Sequence, residues 1–228
     1  MPAGKIKTHR NIVETLLNGI GRVLLRPVFL FFLRAEVVYD RSVSYLGPYI
    51  IAANHPGKLD PVALGSLLPR KWKLYPLKFA AGKWAMGLPF WSRLFRLAGA
   101  FALRKGDGLA KAIEEPVALL KHGRSILMFP QGHINLGFKV EEGRKGSAAI
   151  AMVSDKPILP IALCGIAQTS FWDFVLRKRK LIVLIGHPLP LKRDPSKPLE
   201  QDAREKTILL MRELEKLYCH AETLSAKN

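Results

Sequence analysis

The chain of 228 residues lacks several features that define large functional classes. Its two cysteines, Cys164 and Cys219, stand far apart without metal-ligand spacing, so we expect reduced thiols and no metal site. No Gly-x-Ser-x-Gly sequence occurs, which argues against the nucleophile elbow of serine hydrolases. No aromatic RNP run or zinc-finger spacing indicates a nucleic-acid module. Acidic residues are also few, because 18 Asp and Glu stand against 36 Lys and Arg.

A long hydrophobic run is missing as well. Residues 12–39 are mostly apolar, but Arg22, Arg26 and Arg34 interrupt them. The uncharged run at 27–33 is far shorter than the roughly 20 residues that span a bilayer. No small-residue cleavage site follows, so we expect neither a transmembrane helix nor a secretory signal.

The spacing of these arginines indicates another use of the segment. Arg22, Arg26 and Arg34 fall near one face of a helix. The apolar side chains lie largely elsewhere, namely Leu16, Ile20, Val23, Leu24 and Phe31. This pattern predicts an amphipathic element in the plane of a membrane, with arginines directed to lipid head groups and Pro27 separating two short helices. A helix packed on the protein's own core is the alternative.

The basic composition predicts a polyanionic partner. A formal net charge of +18 attracts either nucleic acid or an anionic lipid surface. Residues 83–96 (KWAMGLPFWSRLFR) place basic side chains beside Trp, Phe and Leu, which favours lipid. We therefore expect an anionic phospholipid membrane surface as partner, no nucleic acid, and monotopic attachment at the cytoplasmic face of the cell membrane.

Short β-rich runs alternate with helical patterns, which predicts an α/β fold: a single domain with a mostly parallel central sheet flanked by helices. Strands are predicted at residues 49–53, 78–81, 100–103, 125–129, 158–162 and 181–185. Helices are predicted at residues 61–68, 89–97, 108–121, 146–154 and 202–219. The expected organisation is a membrane-binding helical element at 1–37 and a catalytic domain at 38–228.

One short segment carries the strongest chemical signal. An apolar run places His55 on a turn, and Asp60 follows five positions later. A carboxylate can fix the tautomer of a histidine and thereby make it a general base. Pro56 and Gly57 interrupt regular structure, which allows the two side chains to meet. Asp60 before Pro61 is also a good helix start, and one carboxylate can serve both roles.

Asn54, His55 and Asp60 form an Asn-His, four residues, Asp block, and other blocks follow it in a fixed order. These are GAFALRKGD at 99–107, FPQGHINLG at 129–137, GRKGSAAIA at 143–151 and ILPIALCG at 158–165. In this order the chain resembles the glycerolipid acyltransferases, the lysophosphatidic acid (1-acylglycerol-3-phosphate) acyltransferase family. The resemblance covers residues 38–165.

The resemblance implies an O-acyltransferase that moves a fatty acyl group from acyl-CoA or acyl-ACP to a hydroxyl of a lysophospholipid or related glycerolipid. If acyl-ACP is the donor, acyl carrier protein is a partner. We expect no bound cofactor. His55 is the base, Asp60 orients it, and the hydroxyl attacks the thioester directly, without an acyl-enzyme. The turn at 56–58 is expected to offer backbone amides to the oxyanion.

Further site residues follow from the same motifs. The acceptor or its phosphate is expected to contact Arg104, Lys105, Gln131, Gly132, Arg144 and Lys145. For the four basic residues an ordinary solvated side chain is the alternative. The turn that supports the base consists of Asn54, Pro56 and Gly57. Candidates for an acyl tunnel, which suit a core or membrane face equally well, are Trp84, Met86, Phe90, Trp91 and Phe95.

The third block departs from the family pattern. Gln131 stands where Phe-Pro-Glu-Gly has the acid, and residues 133–135 replace the frequent Thr-Arg-Ser. The changes remove a carboxylate and a forked phosphate donor, so the acceptor is expected to differ or bind more weakly. A catalytically silent, lipid-binding relative is the alternative. The intact Asn54, His55 and Asp60 favour the enzyme.

Overall fold

The computed structural model describes residues 12–69, 72, 74–82, 89–102, 108–135, 138 and 143–226. Within these ranges the strands are β1 (Glu36–Tyr39), β2 (Ile50–Ala53), β3 (Lys78–Ala81), β4 (Ala100–Ala102), β5 (Ile126–Met128), β6 (Ile158–Cys164) and β7 (Ile182–Ile185). The α-helices are α1 (Ile12–Phe32), α2 (Asp60–Leu67), α3 (Pro89–Leu97), α4 (Gly108–Lys121), α5 (Gly146–Ser154), α6 (Phe171–Val175) and α7 (Leu199–Ala226).

The seven strands form one sheet in the order β1-β7-β6-β2-β5-β3-β4. Every neighbouring pair is parallel except β6 and β7. β2 lies inside the sheet, with Ala52 opposite Met128 on one side and Pro160 on the other. The predicted single α/β domain with a mostly parallel sheet is confirmed.

Two apolar layers cover the sheet. Alternate residues of a strand face opposite sides, so Ile51 packs with α1 and α2 while Ile50 packs with α4, α5 and α7. All four residues of β2 are buried, as is typical of a parallel strand covered on both faces. This burial explains why the strand reads as a continuous apolar run.

α1 corrects one sequence-based prediction. It is one helix with Pro27 inside it, where two short helices were expected. The predicted boundary between residues 37 and 38 falls inside β1, which pairs with β7 and is part of the sheet. Among the described residues, no helix combines the length and hydropathy needed to cross a bilayer.

The arginines of α1 face the protein. One Nη of Arg26 donates to the Leu67 carbonyl oxygen at 2.7 Å, and the Arg22 guanidinium lies 4.8 Å from the Tyr75 ring centroid. Phe29 on the same side is buried in the core. The expectation that these arginines reach lipid head groups is therefore wrong for Arg22 and Arg26, because both anchor α1 to the domain.

Candidate active site

The carboxyl ends of β2 and β5 define the site. These neighbouring parallel strands run in register, so the segments that follow them leave the same edge of the sheet. His55 lies on the segment after β2, and Phe129 directly follows β5. The two rings stack with centroids 4.0 Å apart and planes inclined by 14°. The fold therefore brings the first and third sequence blocks together.

His55 and Asp60 meet as the sequence predicted. His55 Nδ1 lies 2.7 Å from Asp60 Oδ2, and the Gly57 N–H donates to the same oxygen at 2.8 Å. Asp60 is fully buried, whereas His55 keeps a partly exposed ring. With Nδ1–H directed at a carboxylate, the lone pair that can accept a proton lies on Nε2.

Asp60 serves the histidine and does not cap α2. The cap residue is Leu59, and no side chain caps this helix end. Burial raises the pKa of Asp60, against the lowering effect of its hydrogen bonds from His55 and Gly57. Since the Gly57 amide is bonded to the carboxylate, the expectation that this amide holds an oxyanion needs correction.

Asn54 fixes the backbone from which His55 projects. Its buried amide donates to the Leu163 carbonyl oxygen at 2.8 Å and accepts the Leu163 N–H at 2.7 Å. On the other side, the Asn135 N–H donates to the His55 carbonyl oxygen at 2.9 Å. The turn is thus tied to β6 and to the third block. Sequence reasoning placed Asn54 in a supporting turn but did not foresee the bond to β6.

Arg144 contacts the third block. The Gln131 carbonyl oxygen accepts from Arg144 Nε at 3.2 Å and from His133 Nδ1 at 3.1 Å. Gly132 has φ of 74°, and a Cβ there would lie 2.5 Å from Arg144 Nε. A glycine at this position therefore permits both the backbone conformation and the close guanidinium. The Gln131 side chain is buried, and its Nε2 has no partner within the described ranges.

The structure does not show the other basic residues of the predicted phosphate site in contact with the third block. Lys145 Nζ pairs with Glu200 Oε2 of α7 at 2.6 Å. Arg104 and Lys105 lie outside the described residues. Among the predicted phosphate ligands that the structure describes, the cation in contact with the third block is therefore Arg144.

A cavity of about 770 Å³ opens beside His55. Its walls come from α1, α2, β3, α3 and the end of β5, and they are mostly apolar: Gly21, Leu25, Val62, Gly65, Phe79, Ala81, Phe95, Ala98, Leu127, Phe129 and Ile134. Arg22 and Lys58 add two cations. The cavity therefore extends from His55 to the protein-facing side of α1.

Of the predicted tunnel residues, the structure describes one side chain, that of Phe95. Phe95 lines the cavity. Trp84 and Met86 lie outside the described residues, and so do the side chains of Phe90 and Trp91. The stack of Phe129 on His55 was missed, because the carboxyl-end rule for parallel strands identifies such a contact only when the strand order is known. In the described part of the chain, no cluster of three His, Cys, Asp or Glu could hold a metal ion.

Comparisons with known proteins agree with this arrangement. The family model "Acyltransferase" matches residues 34–164. The 1-acyl-sn-glycerol-3-phosphate acyltransferase alpha of Bos taurus is 26% identical over 206 residues, covering 84% of this chain and 68% of that protein. The 1-acyl-sn-glycerol-3-phosphate acyltransferase of Bacillus subtilis is 26% identical over 145 residues, covering 62% of this chain and 66% of that protein.

A solved structure supports the fold. The crystal structure of the 1-acyl-sn-glycerophosphate (LPA) acyltransferase PlsC from Thermotoga maritima superposes with a TM-score of 0.54 at 18% identity. The match covers 90% of this chain and 98% of that chain. Together with the family match, these similarities confirm the O-acyltransferase class that the order of the motifs predicted. The chain belongs to the acyltransferase family.

Proposed function

We propose that this chain transfers a fatty acyl group from an acyl thioester to a hydroxyl of a lysophospholipid at an anionic membrane surface. The observation that carries the proposal is the His55–Asp60 pair, with its 2.7 Å contact, at the edge of a large apolar cavity. The names of the relatives, 1-acyl-sn-glycerol-3-phosphate acyltransferases, favour lysophosphatidic acid as the acceptor.

His55 is the proposed general base. Its Nε2 takes the proton of the acceptor hydroxyl while that oxygen attacks the thioester carbonyl carbon. The tetrahedral intermediate then expels the thiolate, which recovers the proton from the imidazolium. Asp60 holds the ring in the required tautomer and stabilises the imidazolium. Burial raises the pKa of the Cys164 thiol, so this residue is a poor candidate for a thiolate nucleophile.

The acyl chain is proposed to occupy the cavity beside His55. Its volume of about 770 Å³ lies within the range of roughly 300–1,000 Å³ that is typical of small-molecule sites. Its mainly apolar walls suit an alkyl chain better than a polar ligand. The thioester carbonyl would then lie near His55. Either acyl-CoA or acyl-ACP can present such a chain.

Gln131 and Arg144 are proposed to bind the acceptor. The Gln131 amide is buried with an unused donor among the described residues, and a buried donor is costly unless a ligand accepts from it. The Arg144 guanidinium lies on Gly132 beside it and can contact a phosphate. The Gln131 amide would donate a hydrogen bond to an oxygen of the acceptor lipid, whereas a glutamate at this position would accept a hydrogen bond from a hydroxyl of that lipid.

α1 is proposed to lie in the membrane. Among its described side chains, six of the seven exposed large apolar ones fall within an arc of about 120° at 3.6 residues per turn, and they are Leu16, Ile20, Val23, Leu24, Leu30 and Phe31. The seventh, Leu25, lies outside this arc and lines the cavity. Arg22 and Arg26 lie on the opposite, protein-facing side. An apolar outer face on a surface helix is best explained by insertion into lipid, which supports peripheral attachment to a membrane. We propose that this attachment is at the cytoplasmic face.

Turnover of a defined acceptor tests the reaction. Purified protein is expected to convert lysophosphatidic acid with acyl-CoA or acyl-ACP of several chain lengths, with products identified by mass. Gln131→Glu should change the kcat/KM ratio between lysophosphatidic acid and other lysolipids by about tenfold, because hydrogen bonds to charged groups exceed neutral ones by about 1 kcal/mol or more. Gln201→Glu, at an exposed position of α7, is the matched control. Vesicle binding without turnover of any acceptor would instead identify a silent relative.

Vesicle binding tests the α1 face. Val23 and Leu24 are 71% and 64% exposed, so replacing both with serine should leave the fold intact. We expect Val23→Ser/Leu24→Ser to bind anionic vesicles at least about tenfold more weakly, since each buried aliphatic side chain contributes about 1.5–3 kcal/mol. Ile208→Ser/Leu209→Ser on α7 is the control, because both residues are exposed on a helix packed on the other side of the sheet. Equal binding by both variants would contradict the proposal.

A further inference from the structure

α6 exposes an aromatic pair that the reaction does not use. Phe171 and Trp172 are 71% and 67% exposed, and Val175 and Leu176 are exposed beside them. We call these four residues the α6 tip. Single exposed apolar residues are ordinary, but a cluster with two aromatic rings marks an interaction surface.

The α6 tip is held in a fixed conformation. Ser170 Oγ accepts the Asp173 N–H at 3.0 Å, and the Ser170 N–H donates to Asp173 Oδ2 at 3.2 Å, which forms a capping box. At the other end the Arg177 and Lys178 amides donate to Phe174 and Asp173 carbonyl oxygens, at 3.1 and 2.9 Å. This is a Schellman ending with Arg177 in the left-handed region, at φ of 56°. Its exposed rings are therefore presented by a defined structure.

The α6 tip is continuous with the exposed face of α1. Phe174 stacks on Phe32 with centroids 5.0 Å apart, and the Arg177 guanidinium lies 4.4 Å from the ring centroid of Phe31. Arg177 Nε also donates to the Phe31 carbonyl oxygen at 3.0 Å. Since Phe31 belongs to the apolar outer face of α1, one partner can contact both surfaces at once.

The charge around the α6 tip indicates which partner this is. Arg177, Lys178, Arg179 and Lys180 follow the tip directly. Lys178 and Arg179 are exposed, while Lys180 pairs with Glu36. Aromatic side chains next to a basic run match the boundary of an anionic bilayer, where the rings enter the interface and the cations contact phosphates.

We propose that the α6 tip is a second lipid-contacting element. Phe171 and Trp172 enter the head-group boundary of an anionic bilayer beside α1, and Lys178 and Arg179 contact lipid phosphates. This inference rests on the proposed membrane association and adds a second point of attachment. Two elements fix the orientation of the domain on the surface, which a single in-plane helix leaves free to rotate about its own axis.

The test is flotation with vesicles of phosphatidylcholine alone or mixed with phosphatidylglycerol. Phe171→Ser/Trp172→Ser should bind the mixed vesicles at least about tenfold more weakly than the unchanged chain, while turnover in detergent micelles stays the same. Ile208→Ser/Leu209→Ser should bind as the unchanged chain does. Lys178→Gln/Arg179→Gln should lose most of the preference for the anionic vesicles.

A second measurement tests directly whether the Trp172 ring contacts lipid. Vesicles of brominated phosphatidylcholine and phosphatidylglycerol should quench the fluorescence of the unchanged chain more strongly than that of Trp172→Phe. If Val23→Ser/Leu24→Ser weakens flotation but the α6 variant binds normally, α6 is not a lipid element and the attachment through α1 stands. If the unchanged chain does not float at all, the membrane association itself fails. If the α6 variant instead abolishes a dimer seen by sedimentation, the occupant is a second copy and the inference is overturned.

Discussion

His55→Ala is expected to lower kcat/KM for acyl transfer by about a thousandfold, the middle of the range of about 10² to 10⁴ that general-base catalysis contributes. The reason is geometric. His55 has its Nδ1 bonded to Asp60 and its ring stacked on Phe129, so the proton-accepting Nε2 has a fixed position at the cavity. Alanine removes the base. Steady-state rates with saturating donor and a varied acceptor measure the loss.

His122→Ala is the control for this substitution. His122 is exposed just after α4 and should be replaceable without loss of rate. His55→Ala is expected to lower the free energy of unfolding by about 1–3 kcal/mol, because alanine removes the stack on Phe129 and takes a hydrogen-bond partner from the buried Asp60 carboxyl. The rates are therefore compared on preparations that unfolding curves show to be folded. A variant that keeps more than a tenth of the activity would show that another group removes the proton, and the proposed mechanism would be wrong.

The contact of His55 with Asp60 could be predicted because it depends on local chain geometry. Pro56 and Gly57 stop regular structure between them, and a turn of this length returns the carboxylate to the ring. The stack on Phe129 depends instead on which strands are neighbours. No local pattern states that β2 lies beside β5, and the missing step was the order of the sheet.

The same distinction explains the secondary structure. Strand β3 and helices α3, α4 and α5 have the predicted bounds, since each is defined by its own periodicity and end signals. β1 was not predicted, because four residues with polar neighbours become a strand only by pairing with β7. The last helix was expected to begin at Asp202, yet Asp202 lies inside α7 and accepts the Asp194 N–H at 2.8 Å. Its carboxylate holds a loop and does not start the helix.

For α1 the sequence predicted two distinct helix faces correctly, but it assigned the arginine face to the outside of the protein. The separation of arginines from apolar residues was visible in the sequence, and the usual expectation places charge outward. Here Arg26 bonds to the Leu67 carbonyl oxygen at 2.7 Å, while Val23 and Leu24 face outward. Periodicity defines the two faces of a helix, but only the contact with α2 decides which face is inside.

Asp60→Asn is expected to lower kcat by about two orders of magnitude without lowering stability. His55 Nδ1 and the Gly57 N–H both contact Asp60 Oδ2, and an asparagine oxygen in that position can accept both hydrogen bonds. The ring therefore stays in place, but the neutral amide no longer stabilises the imidazolium that forms on proton abstraction. Rates and thermal or denaturant unfolding, measured on the same preparations, separate the two effects.

The pH dependence of the free energy of unfolding follows from the direction of the Asp60 pKa shift. Burial raises the pKa of Asp60, so the folded protein holds that proton more tightly than the unfolded chain does. The stability of the unchanged chain therefore falls as pH rises through the raised pKa, whereas the uncharged amide introduced by Asp60→Asn contributes no such loss. The free energy of unfolding of Asp60→Asn, relative to the unchanged chain, should accordingly increase as pH rises across this interval. Asp202→Asn, at another buried aspartate that accepts a backbone N–H, should leave the rate unchanged. Parallel loss of rate and stability in Asp60→Asn would mean that Asp60 holds the turn together and does not orient the base.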